Sequence, residues 1–142
     1  VELGDPGIPH AVVPYRGLQK ADENELRELG RKIRWYADFP KGANVNFYEI
    51  IGEDLVCERT FERGVEDFTY ACGTGTGSVV TVLTLQGRVS GKDVRVTMPG
   101  GELRIDAERV HSHIASLYLT GPTNIVCKGE ITDEDLPPIP GM

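Results

Sequence analysis

The hydrophobic pattern opens on a short β-prone run, Pro9-His10-Ala11-Val12-Val13, just after the turn-rich Gly4-Asp5-Pro6-Gly7, and predicts a strand there. Asp22 then stands at a helix N-cap position with Glu25 three residues later, and Leu26, Leu29 and Ile33 recur at helical spacing. This predicts an amphipathic surface helix over 22–34. Past the loop Phe39-Pro40-Lys41-Gly42, residues 44–51 and 55–63 alternate and are joined across Gly52-Glu53-Asp54, the pattern of a β-hairpin. Residues 78–87 are nearly uncharged on every side. Their length, and a Gly87 placed to cap a C-terminus, predict a buried helix despite the β-branched content. Short strands follow at 94–98, 102–106, 114–120 and 125–128, punctuated by Pro99-Gly100-Gly101 and Gly121-Pro122. The expected class is α+β: a mostly antiparallel, curved or barrel-like sheet wrapped around one central buried helix, plus the surface helix. Residues 1–132 read as one domain and 133–142 as a loosely attached Pro-rich tail.

Composition narrows the function. A chain of 142 residues with 39% hydrophobic and 26% charged residues suits one globular domain and excludes a disordered tail or a fibrous repeat. No apolar run is long enough to cross a bilayer. Against 15 Lys and Arg stand 22 Asp and Glu, a formal charge of −7 that repels nucleic acid and anionic lipid, so neither is an expected partner. Cys57, Cys72 and Cys127 form no CxxC pair and no disulfide framework, which fits a reducing cytoplasm, and no secretion leader is seen.

The chemistry concentrates at Cys72-Gly73-Thr74-Gly75. A cysteine just before a helix lies in the positive field of its N-terminus, which stabilises a thiolate, and the glycines let a carboxylate approach backbone N–H groups. Cys72 is therefore expected to be the most reactive thiol, Cys57 and Cys127 falling in strands; the bland alternative is a small buried cysteine followed by loop glycines. His10, at a strand start, could tune a neighbouring thiol or hydroxyl, or serve as a satisfied structural histidine. His111 and His113 have no cysteine or carboxylate at ligand spacing, so no metal site is expected. Glu62-Arg63-Gly64 ends a strand at a turn, where one of the charged pair can reach into a cleft. Asn44 and Asn46 share a strand face and could offer amides to a carboxylate or organise a turn.

Together, Gly7-Ile8-Pro9-His10-Ala11-Val12-Val13, Asn44-Val45-Asn46-Phe47, Glu62-Arg63-Gly64-Val65-Glu66-Asp67, Ala71-Cys72-Gly73-Thr74-Gly75, Pro99-Gly100-Gly101 and Thr120-Gly121-Pro122 resemble, in order and spacing, the C-terminal half of the diaminopimelate epimerase family. The resemblance implies an isomerase of lysine and cell-wall precursor synthesis that interconverts LL- and meso-diaminopimelate. It works without pyridoxal phosphate, other cofactor or metal, using two cysteines on opposite faces of the α-carbon. It makes Cys72 one acid/base, Gly73 and Thr74 backbone donors to the reacting carboxylate, and Glu62 a partner of the reacting amine or of Cys72. Arg63 and Asn44 would grip the distal carboxylate, and His10 would lie near the family's other cysteine. Ile8 stands where many members carry Asn to touch the distal end of the substrate. The second Cys-plus-Gly-rich helix start has no counterpart in this sequence, and Val1 is not Met. The chain is therefore expected to be half of a longer protein, inactive alone, with the other half as its partner; a homodimer stays open. The competing readings are a related racemase or epimerase of the same superfamily and a non-catalytic carboxylate-binding module.

Overall fold

The computed structural model describes residues 1–4 and 7–130. The strands are β1 (Glu2–Gly4), β2 (Gly7–Pro14), β3 (Asn44–Gly52), β4 (Leu55–Glu62), β5 (Asp67–Thr69), β6 (Val94–Met98), β7 (Gly101–Val110) and β8 (His113–Thr120); the helices are α1 (Glu23–Arg34) and α2 (Gly73–Leu85), with a 3-10 turn at Leu18–Lys20. One sheet runs β1-β2-β3-β4-β6-β7-β8, with β5 also paired to β4. Only β2·β3 and β4·β6 are parallel. Each parallel pair brackets a helix. Both crossovers step the same way along the sheet, but from strands of opposite sense, so right-handed connections put α1 and α2 on opposite faces. α2 touches β1 and β2 at one end of the order and β7 and β8 at the other, so the sheet curls around it as expected.

Alternation along the strands divides the core into two. Tyr48, Val56, Val94, Val96, Ile105 and Ala107 turn inward to Val79, Val80 and Leu83 of α2. Val45, Phe47, Cys57 and Phe61 turn outward to Leu18 and Leu26 beneath α1. The Asp22 carboxylate caps α1 by accepting from Asn24 and Glu25 N–H at 2.9 and 3.0 Å. The seam of α1 differs from expectation: Leu29 is exposed, while Gly30 is buried against Phe61, where a Cβ would come within 2.9 Å of the ring. That close approach leaves Leu29 on the flank. α2 ends as its sequence indicates. Gly87 takes φ 67° and donates to Thr84 O, and Arg88 donates to Leu83 O, the two bonds of a Schellman motif.

Three expectations need correction. Residues 125–128 form no strand; they are exposed and pair with nothing among the described residues, so Cys127 is not a strand residue. β5 and the 3-10 turn arise where no strand or helix was predicted, and the strand predicted at 102–106 extends to Val110. The tail at 133–142 lies outside the described residues. Among those described, no helix is long and apolar enough to cross a membrane.

Candidate active site

Toward the start of α2 the inner face of the sheet changes from apolar to polar. Because residues two apart share a strand face, Tyr48 and Ile50 in the inner core put Asn44 and Asn46 on the same side, and Val56 does the same for Glu58, Thr60 and Glu62. His10 joins them from the middle of β2, not from its start. All of these polar residues except Glu62 are buried.

Cys72 is the N-cap of α2, in extended conformation at φ −138° and ψ 101°. Its Sγ lies 3.7 Å from Thr74 Oγ1. Gly73 and Thr74 are exposed, and as the first helical residues their N–H groups have no intrahelical acceptor. The half-buried thiol therefore borders outward-facing backbone donors. Gly75 makes this geometry possible: a Cβ there would overlap Asn46 Oδ1 and come within 3.2 Å of Cys72 Sγ. Burial pushes the Cys72 thiol above its ordinary range, with the negative charges of Glu62 and Glu58 adding to the rise; the Thr74 hydroxyl and the Gly75 N–H pull it down but do not prevail. The expectation of a helix-stabilised thiolate is corrected accordingly. Desolvation, with the neighbouring carboxylates adding to it, raises the thiol, and Cys72 rests protonated.

Arg63 follows β4 in a rigid turn. Asn44 Oδ1 accepts the Arg63 N–H at 2.7 Å, and Glu66 N–H donates to Glu62 O at 2.8 Å. Glu66 Oε1 takes Gly64 N–H at 3.0 Å and both Nε and Nη2 of the buried Arg34, at 3.1 and 2.9 Å. The Gly64 N–H, followed by the Arg34 guanidinium, holds the Glu66 carboxyl below the usual range. Asn44 is thus first a clamp on the turn, while the Arg63 guanidinium reaches out to Lys41 O at 3.2 Å.

A profile of the diaminopimelate epimerase family matches residues 4–126 of this chain. The chain belongs to that family. It is 41% identical over 132 residues to diaminopimelate epimerase of Aquifex aeolicus, covering 92% of this chain and 45% of that protein. With diaminopimelate epimerase of Chlorobaculum tepidum the identity is 40% over 129 residues, covering 90% and 48%. The chain therefore spans a little under half the length of these relatives. Among solved structures it is similar to a Bacillus anthracis phenazine biosynthesis protein of the PhzF family, with a TM-score of 0.55 at 18% identity over 80% of this chain and 34% of that one; this likeness shows the fold.

Against the diaminopimelate epimerase resemblance, the structure brings Cys72, Gly73, Thr74 and Glu62 to the start of α2 and ties the side chain of Asn44, on β3, to the turn that carries Arg63. Cys57 is buried on the α1 side and Cys127 is exposed beyond β8, so Cys72 alone among the thiols lies at this site. His111 and His113 are exposed around the β7–β8 turn. What the sequence reading missed is a buried polar chain. Asn46 Nδ2 donates to Ala11 O at 3.1 Å and to His10 Nδ1 at 3.2 Å, Thr60 Oγ1 lies 3.0 Å from Asn46 Oδ1, and Glu58 lies between Thr60 and Thr76. The signal was present in the alternation: a Glu in register between Val56 and Thr60 has to point inward.

The two ends of this chain titrate in opposite directions. Burial lowers His10 to about 4, against the Asn46 hydrogen bond, and burial raises Glu58 to about 7, against those of Thr76 and Thr60. A raised carboxyl contributes stability that is full below pH 4.5 and lost as pH rises through about 7. A depressed histidine contributes stability that is full above pH 6.5 and lost as pH falls through about 4. Each shift corresponds to roughly 3 kcal/mol. Between pH 4.5 and 6.5 the slopes oppose, so the wild-type stability is expected to be nearly flat. Urea unfolding at several pH values should show Glu58→Gln gaining stability with rising pH over this window and His10→Gln losing it. Flat curves for both variants would contradict the assignment.

Proposed function

We propose that this chain supplies one of the two acid/base cysteines of a cofactor-independent diaminopimelate epimerase, the other coming from a second half of the protein. The observation that carries the reading is the convergence at the start of α2 of one thiol, two outward N–H donors and an arginine-bearing turn. A thiolate on the opposite face takes the α-proton. Charge then develops toward the α-carboxylate, where the N–H groups of Gly73 and Thr74 stabilise it, since that proton is far too weakly acidic for an unassisted thiolate. The Cys72 thiol returns a proton from its own face and becomes the thiolate, so the centre is inverted and the protonation states of the two cysteines exchange. That Cys72 rests as a thiol supports its starting as the acid. Glu62 attends the reacting amine or Cys72, Arg63 holds the distal carboxylate, and His10 serves the side of the second cysteine. The three free thiols fit a reducing cytoplasm. A related amino-acid racemase is the second reading, favoured by Ile8, an exposed apolar side chain where the family often has Asn.

The test is epimerisation of LL-diaminopimelate in D2O. The full-length protein is expected to yield the meso isomer carrying deuterium at the inverted carbon, and the folded 142-residue chain alone is expected to yield none. Sustained turnover by the chain alone, proportional to its concentration, would contradict the two-cysteine assignment.

A further inference from the structure

Glu58 is a buried carboxyl, 1% exposed, that the chemistry above does not use. It lies between two hydroxyls: Thr76 Oγ1 is 2.7 Å from its Oε2 and Thr60 Oγ1 is 3.4 Å from its Oε1. Each hydroxyl also has a second acceptor. Thr76 Oγ1 is 3.0 Å from the carbonyl of Cys72, and Thr60 Oγ1 is 3.0 Å from Asn46 Oδ1. A hydroxyl carries one hydrogen, so two hydrogens face four contacts. Asn46 cannot make up the difference, because its Nδ2 is committed to Ala11 O and His10 Nδ1.

One proton on Glu58 resolves the count. Glu58 then donates to Thr76, Thr76 to the Cys72 carbonyl and Thr60 to Asn46, which fills the three short contacts and leaves only the 3.4 Å one without a hydrogen. If Glu58 is ionised, a buried carboxylate draws both hydroxyls to itself. The Cys72 carbonyl then keeps only the Thr76 N–H at 2.9 Å, and Asn46 Oδ1, packed against Gly75, loses its donor.

We infer that Glu58 is a positioning residue for Cys72: as the acid it locks the Cys72 carbonyl through Thr76, and as the carboxylate it releases that lock and sets a negative charge behind the thiol. The inference rests on the reading of Cys72 as an acid/base. Burial, against the pull of Thr76 and Thr60, brings the ionisation to about 7, where it falls within the working range of an enzyme. The titratable neighbours are few. Cys72 faces Glu58 from α2 and Glu62 from its own strand; Tyr48 lies opposite on β3 with its hydroxyl accepting from Arg88 at 2.6 Å; His10 on β2 connects through Asn46 and Thr60. β6 and β7 turn Val94, Val96, Ile105 and Ala107 to this side.

The test compares the full-length wild type with Glu58→Gln, whose amide can donate to Thr76 at every pH, in kcat/KM and in the rate of Cys72 alkylation by iodoacetamide located by mass mapping. The ratio of wild-type to variant kcat/KM is expected to fall about tenfold from pH 6 to 8, as loss of one proton near pH 7 requires. The alkylation midpoint of Cys72 is expected to move about 0.5 to 1 unit lower in the variant, because a like charge has been removed. A second pair of variants keeps Glu58 in place: Thr76→Val should lower kcat about tenfold with little change in KM, and Thr76→Ser should restore it. Parallel pH profiles with an unmoved midpoint, or equal kcat for Val and Ser at position 76, would overturn the role of Glu58. Full activity in Cys72→Ala would overturn instead the reading on which that role rests, and the alkylation midpoint would still report whether Glu58 acts on the thiol.

Discussion

Replacing Cys72 by alanine in the full-length protein is expected to lower kcat/KM for diaminopimelate epimerisation by about 10²- to 10⁴-fold, the range a positioned acid/base group supplies. The loss should lie in kcat. The N–H groups of Gly73 and Thr74 and the turn carrying Arg63 owe nothing to the sulfur, so binding should persist with KM little changed. Cys127→Ala serves as the control, since that thiol is exposed beyond β8 and touches nothing at the site; its activity should stay within about twofold of wild type, well inside the error of a one-decade change. A Cys72→Ala enzyme within tenfold of wild type would mean that the proton is delivered by another group.

Arg63→Lys is expected to lower kcat/KM for diaminopimelate by roughly 10- to 100-fold, from about 1.5 to 3 kcal/mol for a hydrogen bond to a charged group. The backbone of Arg63 is fixed by Asn44, and the turn behind it by the Arg34–Glu66 pair, so the guanidinium is presented from a rigid base. Its one side-chain hydrogen bond among the described residues, to Lys41 O at 3.2 Å, leaves the rest of a planar fork free for a carboxylate. Lysine offers a point charge in its place. A small monocarboxylic amino acid, with no distal carboxylate to hold, should be nearly indifferent to the change. Measuring kcat/KM for both substrates separates the cases; equal losses, or none for either, would show that Arg63 does not read the distal end.

The elements with long hydrophobic periodicity were legible in the sequence, and so was the helix start at Cys72. Asp22 capped α1 as expected, β3 and β4 formed the expected hairpin, and the uncharged α2 proved to be the axis of the curled sheet. The three-residue elements were not legible, although the five-residue β6 was. β5 has three residues, too few to show a period, and exists because Thr60, Phe61 and Glu62 offer it a partner. The run at 125–128 had strand-like composition but finds no surface to cover, and strand preference without burial does not make a strand. At the site, residue types singled out Cys72, Glu62 and Arg63 as candidates, because their chemistry is local to a motif. The acidity of Cys72 could not be read this way: it depends on burial and on the charges of Glu62 and Glu58, both on β4, the latter brought beneath the helix by the hairpin register.

The central claim is that Cys72 serves one face of the α-carbon and a different group serves the other. It is tested most directly by hydrogen exchange without turnover in full-length Cys72→Ala, incubated in D2O separately with LL- and meso-diaminopimelate. The remaining base still reaches one face, so deuterium should enter the α-position of the isomer whose hydrogen points to that face, with retained configuration, while the matching centre of the other isomer exchanges at no more than about one-hundredth of that rate. Comparable exchange from both isomers, or exchange accompanied by inversion, would contradict the assignment of Cys72.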